Sequence, residues 1–141
     1  MTTLHQHGEV AFAIPPSWAD HSTLMFAGPT DAAGRAPVVT ITFGMAKQDA
    51  RAAVVHEVER MAQTDPEMKL SDEGPFDTGF GQGWSVRVDV ERGARKLSQL
   101  TAAQQVGPMM LLMTGLVDTD VFDAHVETMK RMLASVRPAE A

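Results

Sequence analysis

Alternation of apolar and polar positions runs through most of the chain and predicts β-strands. Val38–Met45 interleaves β-branched, aromatic and polar residues, and Trp84–Glu91 places apolar and polar side chains on opposite faces. Met109–Leu116 differs because both of its faces are apolar, which is typical of a central strand between two covered surfaces. Four further strands are predicted over Glu9–Ile14, Ser22–Ala27, Lys69–Glu73 and Arg95–Gln105.

Two segments change to the spacing of an amphipathic helix. In Asp49–Gln63 the apolar residues recur every three or four positions, and the carboxylate of Asp49 can cap the first turn. The second helix is predicted over about Asp120–Ser135, where Phe122 begins an apolar stripe. The glycine-rich segment Gly74–Gly83 is predicted to be a loop.

The order of these elements predicts an α+β protein with an antiparallel sheet. Tight connections such as Arg92–Ala94 join neighbouring strands in antiparallel pairs. We expect about six to seven strands, with both helices on one face of the sheet and the other face uncovered. The length of 141 residues fits a single domain over residues 1–141, with a core from about 8 to 137.

Charge and composition exclude several classes of function. Twelve Lys and Arg against eighteen Asp and Glu give a net charge of −6, which disfavours binding to a nucleic-acid backbone. Cysteine is absent, which excludes disulfides, thiolate metal sites and cysteine nucleophiles. The amino terminus lacks the basic flank and apolar core of a signal peptide, and no apolar stretch approaches the roughly 20 residues of a membrane span. We therefore expect a cytoplasmic protein.

Residues with catalytic or metal-binding chemistry are scattered along the sequence. His5 and His7 could chelate a metal from the terminus, but a solvated tail explains them better. Asp118, Asp120 and Asp123 lack the central glycine and distal glutamate of a calcium loop, and they suit a helix N-terminus. No Gly-x-Ser-x-Gly elbow is present. We expect no catalytic residue, no metal site and no cofactor, and so a protein that is not an enzyme.

Two other features favour an adaptable binding surface. Ten methionines are many for this length, and their flexible side chains suit either a core or a plastic binding surface. Neutral polar residues alternate with apolar ones in two strands, Thr40 and Thr42 in one and Gln99 and Thr101 in the other. Uncharged hydrogen-bonding groups among apolar side chains suit an apolar partner, and ordinary solvent-facing strand residues fit the same pattern.

Several short patterns along the chain, together spanning about Gly8 to Arg137, support a family resemblance. In order they are Pro15–Ser22 (PPSWADHS), Val39–Thr42 (VTIT), Leu97–Ala103 (LSQLTAA), Leu112–Gly115 (LMTG), Phe122-x-x-His125 and Met132–Ser135 (MLAS). Together they resemble the DcrB-related proteins of the PsbP-like fold, and among them the Eag chaperones of bacterial type VI secretion effectors.

This resemblance implies a cytoplasmic homodimer with a curved antiparallel sheet, which itself inserts in no membrane. It implies a chaperone or adaptor that binds and shields the hydrophobic N-terminal transmembrane segments of an effector, near its PAAR or Rhs region, before loading on the secretion spike. Apolar and neutral polar strand residues would imitate the packing between membrane helices. The matching positions are Leu24, Val38, Thr40, Thr42, Gln99 and Thr101.

Two rival functions stay open on the sequence. A regulatory or scaffold domain of the same fold would bind a soluble protein and would show no preference for transmembrane peptides. A small-molecule enzyme would need a convergent polar cleft, which these residues do not assemble.

Overall fold

A computed structural model describes residues 3–7, 10–14 and 23–138, and the first two ranges are described by their strand pairing alone. A 3₁₀ turn over Thr119–Val121 precedes the second helix. The strands and α-helices are β1 (Thr3–His7), β2 (Val10–Ile14), β3 (Thr23–Ala27), β4 (Val38–Met45), α1 (Ala50–Ala62), β5 (Lys69–Thr78), β6 (Gly81–Arg92), β7 (Arg95–Val106), β8 (Met109–Asp118) and α2 (Phe122–Ala134).

The main sheet is antiparallel and has six strands in the order β3-β4-β8-β7-β6-β5. The predicted α+β class, with an antiparallel sheet and two helices, is confirmed. Strands β1 and β2 pair with each other in a separate two-stranded sheet. Strand β1, which includes His5 and His7, was not predicted from the sequence. The pattern Pro15–Ser22 lies outside the described residues.

The two helices lie on opposite faces of the sheet, which corrects the prediction that they share one face. Helix α1 buries Val54 in a cluster with Val88, whereas α2 buries Met129 in a separate cluster with Met113. We refer to these as the α1 face and the α2 face. The prediction was wrong because it relied on element order, although the two apolar faces of β8 already indicated two covered surfaces.

Most predicted boundaries agree with the structure, and β5 is the main exception. The segment expected to be a loop from Gly74 continues as β5 to Thr78, and β6 begins at Gly81. A register shift between Ser71 and Gly74 marks a β-bulge in β5. Because β5 is an edge strand, no further strand pairs with its outer side. Pro75, which has no backbone N–H to donate, can therefore occupy β5 without removing a hydrogen bond on that side. The predicted cap of α1 is confirmed, since Asp49 Oδ1 accepts from the Ala52 amide at 2.8 Å.

Candidate functional site

Helix α1 covers only part of its own face of the sheet. It packs mainly over β6 and β7 and contacts β8 less. On the same face, β3, β4 and β8 present a set of side chains that are exposed or half-buried within the described part of the chain. We name this set the open wall: Thr23, Met25, Val38, Thr40, Thr42, Leu112, Thr114 and Leu116. None of these eight side chains is charged.

Strand register brings three threonines of this face into one transverse row. Residues directly opposite each other in an antiparallel pair project to the same side, with Cβ atoms about 4.5–5.5 Å apart. Thr40 lies opposite Thr114, and Thr114 lies opposite Thr101, so three threonines follow one another across β4, β8 and β7. Met25 extends this row onto β3. The open wall therefore combines hydroxyl groups with aliphatic and methionine side chains.

Three aliphatic residues and one further threonine flank this row on the neighbouring positions. Val38 lies opposite Leu116 on one side, and Thr42 lies opposite Leu112 on the other. All four are half-buried, because they contact their sheet neighbours but are not overlaid by α1 to the extent of the β6 and β7 side chains. A surface with apolar area and uncharged acceptors and donors can take an apolar partner without burying an unpaired charge.

The six residues predicted to bind a partner do not form one continuous surface. Val38, Thr40 and Thr42 lie on the open wall. Gln99 and Thr101 share its face but lie towards α1. Gln99 Nε2 lies 2.9 Å from Thr101 Oγ1 and 3.4 Å from the sulfur of Met61 on α1, and Thr101 is fully buried.

The sixth residue, Leu24, lies on the α2 face. It is opposite Ile41 in the register, and Ile41 packs against the core under α2. A single helix lying against the open wall therefore cannot contact Leu24 and Thr40 together.

Five members of the open wall were not among the binding residues predicted from the sequence. Thr114 was missed because its strand is otherwise apolar on both faces. The single polar side chain between Met113 and Gly115 was the sequence feature that could have indicated it. Met25 could have been found only once the register of β3 was known. The remaining missed members are Thr23, Leu112 and Leu116.

The methionines divide between the core and the surface. Met110 and Met113 on β8 are buried, with 8% and 1% of their surface exposed. Met25 and Met45 are 69% and 66% exposed. Composition left two interpretations open for the methionines. Met110 and Met113 on β8 fill the core, whereas Met25 and Met45 form exposed apolar surface at the end of the sheet made by β3 and β4.

Ion pairs of Arg35 fix the connection between β3 and β4 to the start of α2. Arg35 Nη1 lies 2.8 Å from both carboxylate oxygens of Asp120, and Arg35 Nε lies 3.0 Å from Asp31. Asp118 is 3.5 Å from Arg35 and 2.7 Å from Arg95. The carboxylates of Asp120 and then Asp31 raise the pKa of Arg35 above its usual value. The network fixes the connection between the two strands that supply five of the eight residues of the open wall.

We expect Asp31 to contribute stability that is lost in acid. The Arg35 amide above all, and then the Ala33 amide and the Arg35 charge, hold the pKa of Asp31 below its usual value of 3.8. Since the folded-state pKa is depressed, this stability is present above the unfolded pKa and is lost as the pH falls through the folded one. Urea unfolding of Asp31→Asn should therefore show a flatter loss of stability below about pH 4. Equal slopes in the two proteins would contradict this role.

A polar cluster on the α2 face connects β6 and β7 with the turn before α2. The buried Ser98 Oγ lies within hydrogen-bond distance of Asp89 and 2.9 Å from Thr119 Oγ1. Arg87 pairs with Asp89 at 3.0 Å and lies 4.4 Å from the centre of the Phe122 ring. The polar groups of this cluster pair with one another, so we interpret the cluster as a structural one that positions the first turn of α2.

A cleft of about 720 Å³ opens between the turn after α1 and the β6–β7 hairpin. Its charged groups have both signs and are partly paired, as between Glu91 and Lys96 at 4.0 Å. Asp65 pairs with Arg92 at 3.3 Å. Across the described ranges, no three His, Cys, Asp or Glu residues are grouped to hold a metal ion. The cleft is therefore lined by charges of both signs that are partly paired with each other or with neighbouring residues.

The fold and the open wall define the class of this protein: an antiparallel sheet between two helices, with part of one face left uncovered in the described chain. The sequence model of the DcrB family matches residues 9–135, and the chain belongs to that family. No match was found among curated proteins. Neither helix within the described chain combines the length and the hydropathy needed to cross a membrane.

The solved structures that share this fold include two that cover nearly all of this chain. One is PA94 from Pseudomonas aeruginosa, a protein of unknown function classed as a candidate regulator, with 20% identity, a TM-score of 0.78 and 99% of each chain covered. The other is LpqN of Mycobacterium tuberculosis, which is involved in cell envelope biogenesis. It has 10% identity and a TM-score of 0.53, with 98% of this chain and 91% of LpqN covered. At these identities the likeness concerns the fold.

Proposed function

We propose that this protein is a cytoplasmic, homodimeric chaperone of the Eag type. It binds the hydrophobic N-terminal transmembrane segments of a type VI secretion effector, of the PAAR or Rhs kind, before the effector is loaded on the secretion spike. The observation that carries the proposal is the open wall, an uncharged surface of threonine and aliphatic side chains beside α1. Membership of the DcrB family and the resemblance to Eag chaperones agree with it.

The chemistry of such a cargo explains why an uncharged wall suits it. A segment of about 20 apolar residues aggregates or enters the membrane if it is left bare in the cytoplasm. Covering apolar area is worth roughly 25 cal/mol per Å², less the cost of ordering the two partners. A charged wall would lose part of this gain, because each charge would have to be desolvated when the helix docks.

The threonine row adds the second kind of contact that membrane helices make. In a bilayer, helices associate through small residues and side-chain hydrogen bonds. Thr40 and Thr114 offer hydroxyls at neighbouring positions, and their methyl groups keep the surface apolar. Thr101 continues the row under α1, where its hydroxyl oxygen accepts a hydrogen bond from the side-chain amide of Gln99. We therefore assign Gln99 and Thr101 to shaping the α1 side of the wall, with Thr40 and Thr114 in contact with the cargo.

The test is capture of an effector encoded beside this chain by tagged chaperone variants in the absence of detergent. Thr40→Lys places a charge in the middle of the open wall, and we expect it to reduce the captured effector by about tenfold or more. Thr40→Val keeps the shape and removes the hydroxyl, so its loss should be smaller. Val55→Lys is the matched control, because Val55 is exposed on α1 outside the open wall.

The same assay separates this function from that of a scaffold for soluble proteins. An effector that lacks its apolar N-terminal segments should not be captured. Equal capture of the intact and the truncated effector would contradict the proposal and favour a soluble partner. Capture by Thr40→Lys at the wild-type level would show that the open wall is not the binding surface.

A further inference from the structure

The two edges of the main sheet differ in their protection against pairing with another strand. Edge strands of soluble proteins are blunted by charges, proline and bulges. β5 has all three: the charged residues Lys69, Asp72 and Glu73, the proline Pro75, and the bulge that starts after Ser71. The β5 edge is therefore poorly suited to accept another strand.

The opposite edge, β3, has none of these features. Its five residues, Thr23–Ala27, include no charge and no proline, and they pair with β4 in a continuous register. Met25 projects to the α1 face and is 69% exposed, whereas Phe26 projects to the α2 face and is 49% exposed. An added strand would therefore meet apolar side chains on both of its faces.

Apolar exposure continues from β3 onto β4 on the α2 face. Phe43 and Met45 are 39% and 66% exposed, and they alternate with the side chains of β4 that belong to the open wall. Helix α2 packs over β5, β7 and β8 and leaves this corner of its face bare in the described chain. The end of the sheet at β3 thus exposes apolar area on both sides, which solvent alone does not favour.

We propose that β3 pairs with β3 of a second copy of this chain, antiparallel and about a two-fold axis at Met25. A second β3 has the required chemistry, because it too is uncharged and presents apolar side chains on both faces. Each chain has a net charge of −6, so an uncharged edge is where two copies can approach with least repulsion. An isologous contact of this kind closes at the dimer.

This inference supplies an interface for the homodimer of the proposed function and would bring two open walls side by side. In the expected register Met25 faces the partner's Met25, and Phe26 faces the partner's Leu24. The exposed corners of the α2 face would meet in the same contact. The oligomeric state can be measured without cargo, so it can fail independently of effector binding.

The first experiment compares the mass of wild-type, Met25→Lys and Leu70→Lys proteins by analytical ultracentrifugation. We expect a wild-type dimer, and we expect Met25→Lys to raise its dissociation constant at least about tenfold, since two ammonium groups would then lie opposite each other. Leu70 is the matched control, because it is a 49% exposed leucine on the same face of the protected β5 edge. Leu70→Lys should leave the dissociation constant unchanged.

The second experiment uses the absence of cysteine from the chain. Oxidised Met25→Cys should form a disulfide-linked dimer, because the two Cβ atoms are close only in this register, whereas Leu70→Cys should not. A monomeric wild-type protein would overturn the proposal. So would a Met25→Lys protein that dimerises as tightly as the wild type, or equal crosslinking of both cysteine variants. Circular dichroism of each variant establishes that it is folded.

Discussion

Gly83→Ala should destabilise the fold by about 2–3 kcal/mol, because β6 approaches its neighbours too closely at this position for a side chain. A Cβ on Gly83 would collide with the Phe76 ring and would lie 2.7 Å from the Ala103 carbonyl oxygen. The ring can turn aside at some cost. The carbonyl cannot, since it belongs to β7, a central strand that pairs on both sides.

Gly44→Ala is the matched control for this substitution. Gly44 also lies in a strand of the main sheet, but a Cβ there would meet no heavy atom within 4 Å. We expect its free energy of unfolding to stay within about 0.5 kcal/mol of the wild type. Urea unfolding followed by tryptophan fluorescence measures both variants. Equal stability of the two alanine variants would show that the sheet relaxes at Gly83 and would contradict the close approach.

Local periodicity predicted most of the fold because it depends on the chain itself. Alternation located β4 and β6, and helical spacing with a capping aspartate located α1. β5 could not be predicted in this way. Gly74 and Pro75 suit a loop by composition, and they are tolerated in a strand only because β5 lies at an edge and contains a bulge.

The candidate site was only partly predictable, because exposure depends on what packs above a strand. Alternation showed that Thr40 and Thr42 project together, and the structure leaves both on the open wall. The same pattern in β7 placed Thr101 with them, but α1 lies over β7 and buries it. Leu24 was assigned to the wrong face because the register of β3 against β4 cannot be read from either strand alone.

The two faces of the sheet differ in how completely their helix covers them. α2 buries Phe122, Met129 and Leu133 and completes the core of its face. α1 buries only Ala50 and Val54 among its own residues, and it leaves the side chains of β3 and β4 on its face exposed or half-buried. Substitutions of the side chains buried under α2 should therefore act on stability, and substitutions on the open wall should act on binding.

The α2 face offers a direct test of its packing through Gly115 and Met129. Met129→Ala should cost about 2–5 kcal/mol, since it leaves a cavity in a buried cluster where the side chain is 2% exposed. Gly115→Ala should cost about 1–3 kcal/mol, because its new Cβ would collide with the Met129 sulfur and lie 3.3 Å from the Met129 methyl carbon.

The two substitutions should not be additive, because each relieves the defect caused by the other. The added methyl group of Gly115→Ala enters the space that Met129→Ala vacates, so we expect the double variant to be more stable than the sum of the single effects by about 0.5–3 kcal/mol. Gly115→Ala combined with Val54→Ala is the control, since Val54 packs on the α1 face and the effects should add. Additivity in both pairs would mean that the Met129 side chain moves away at no cost and that α2 does not pack tightly on Gly115.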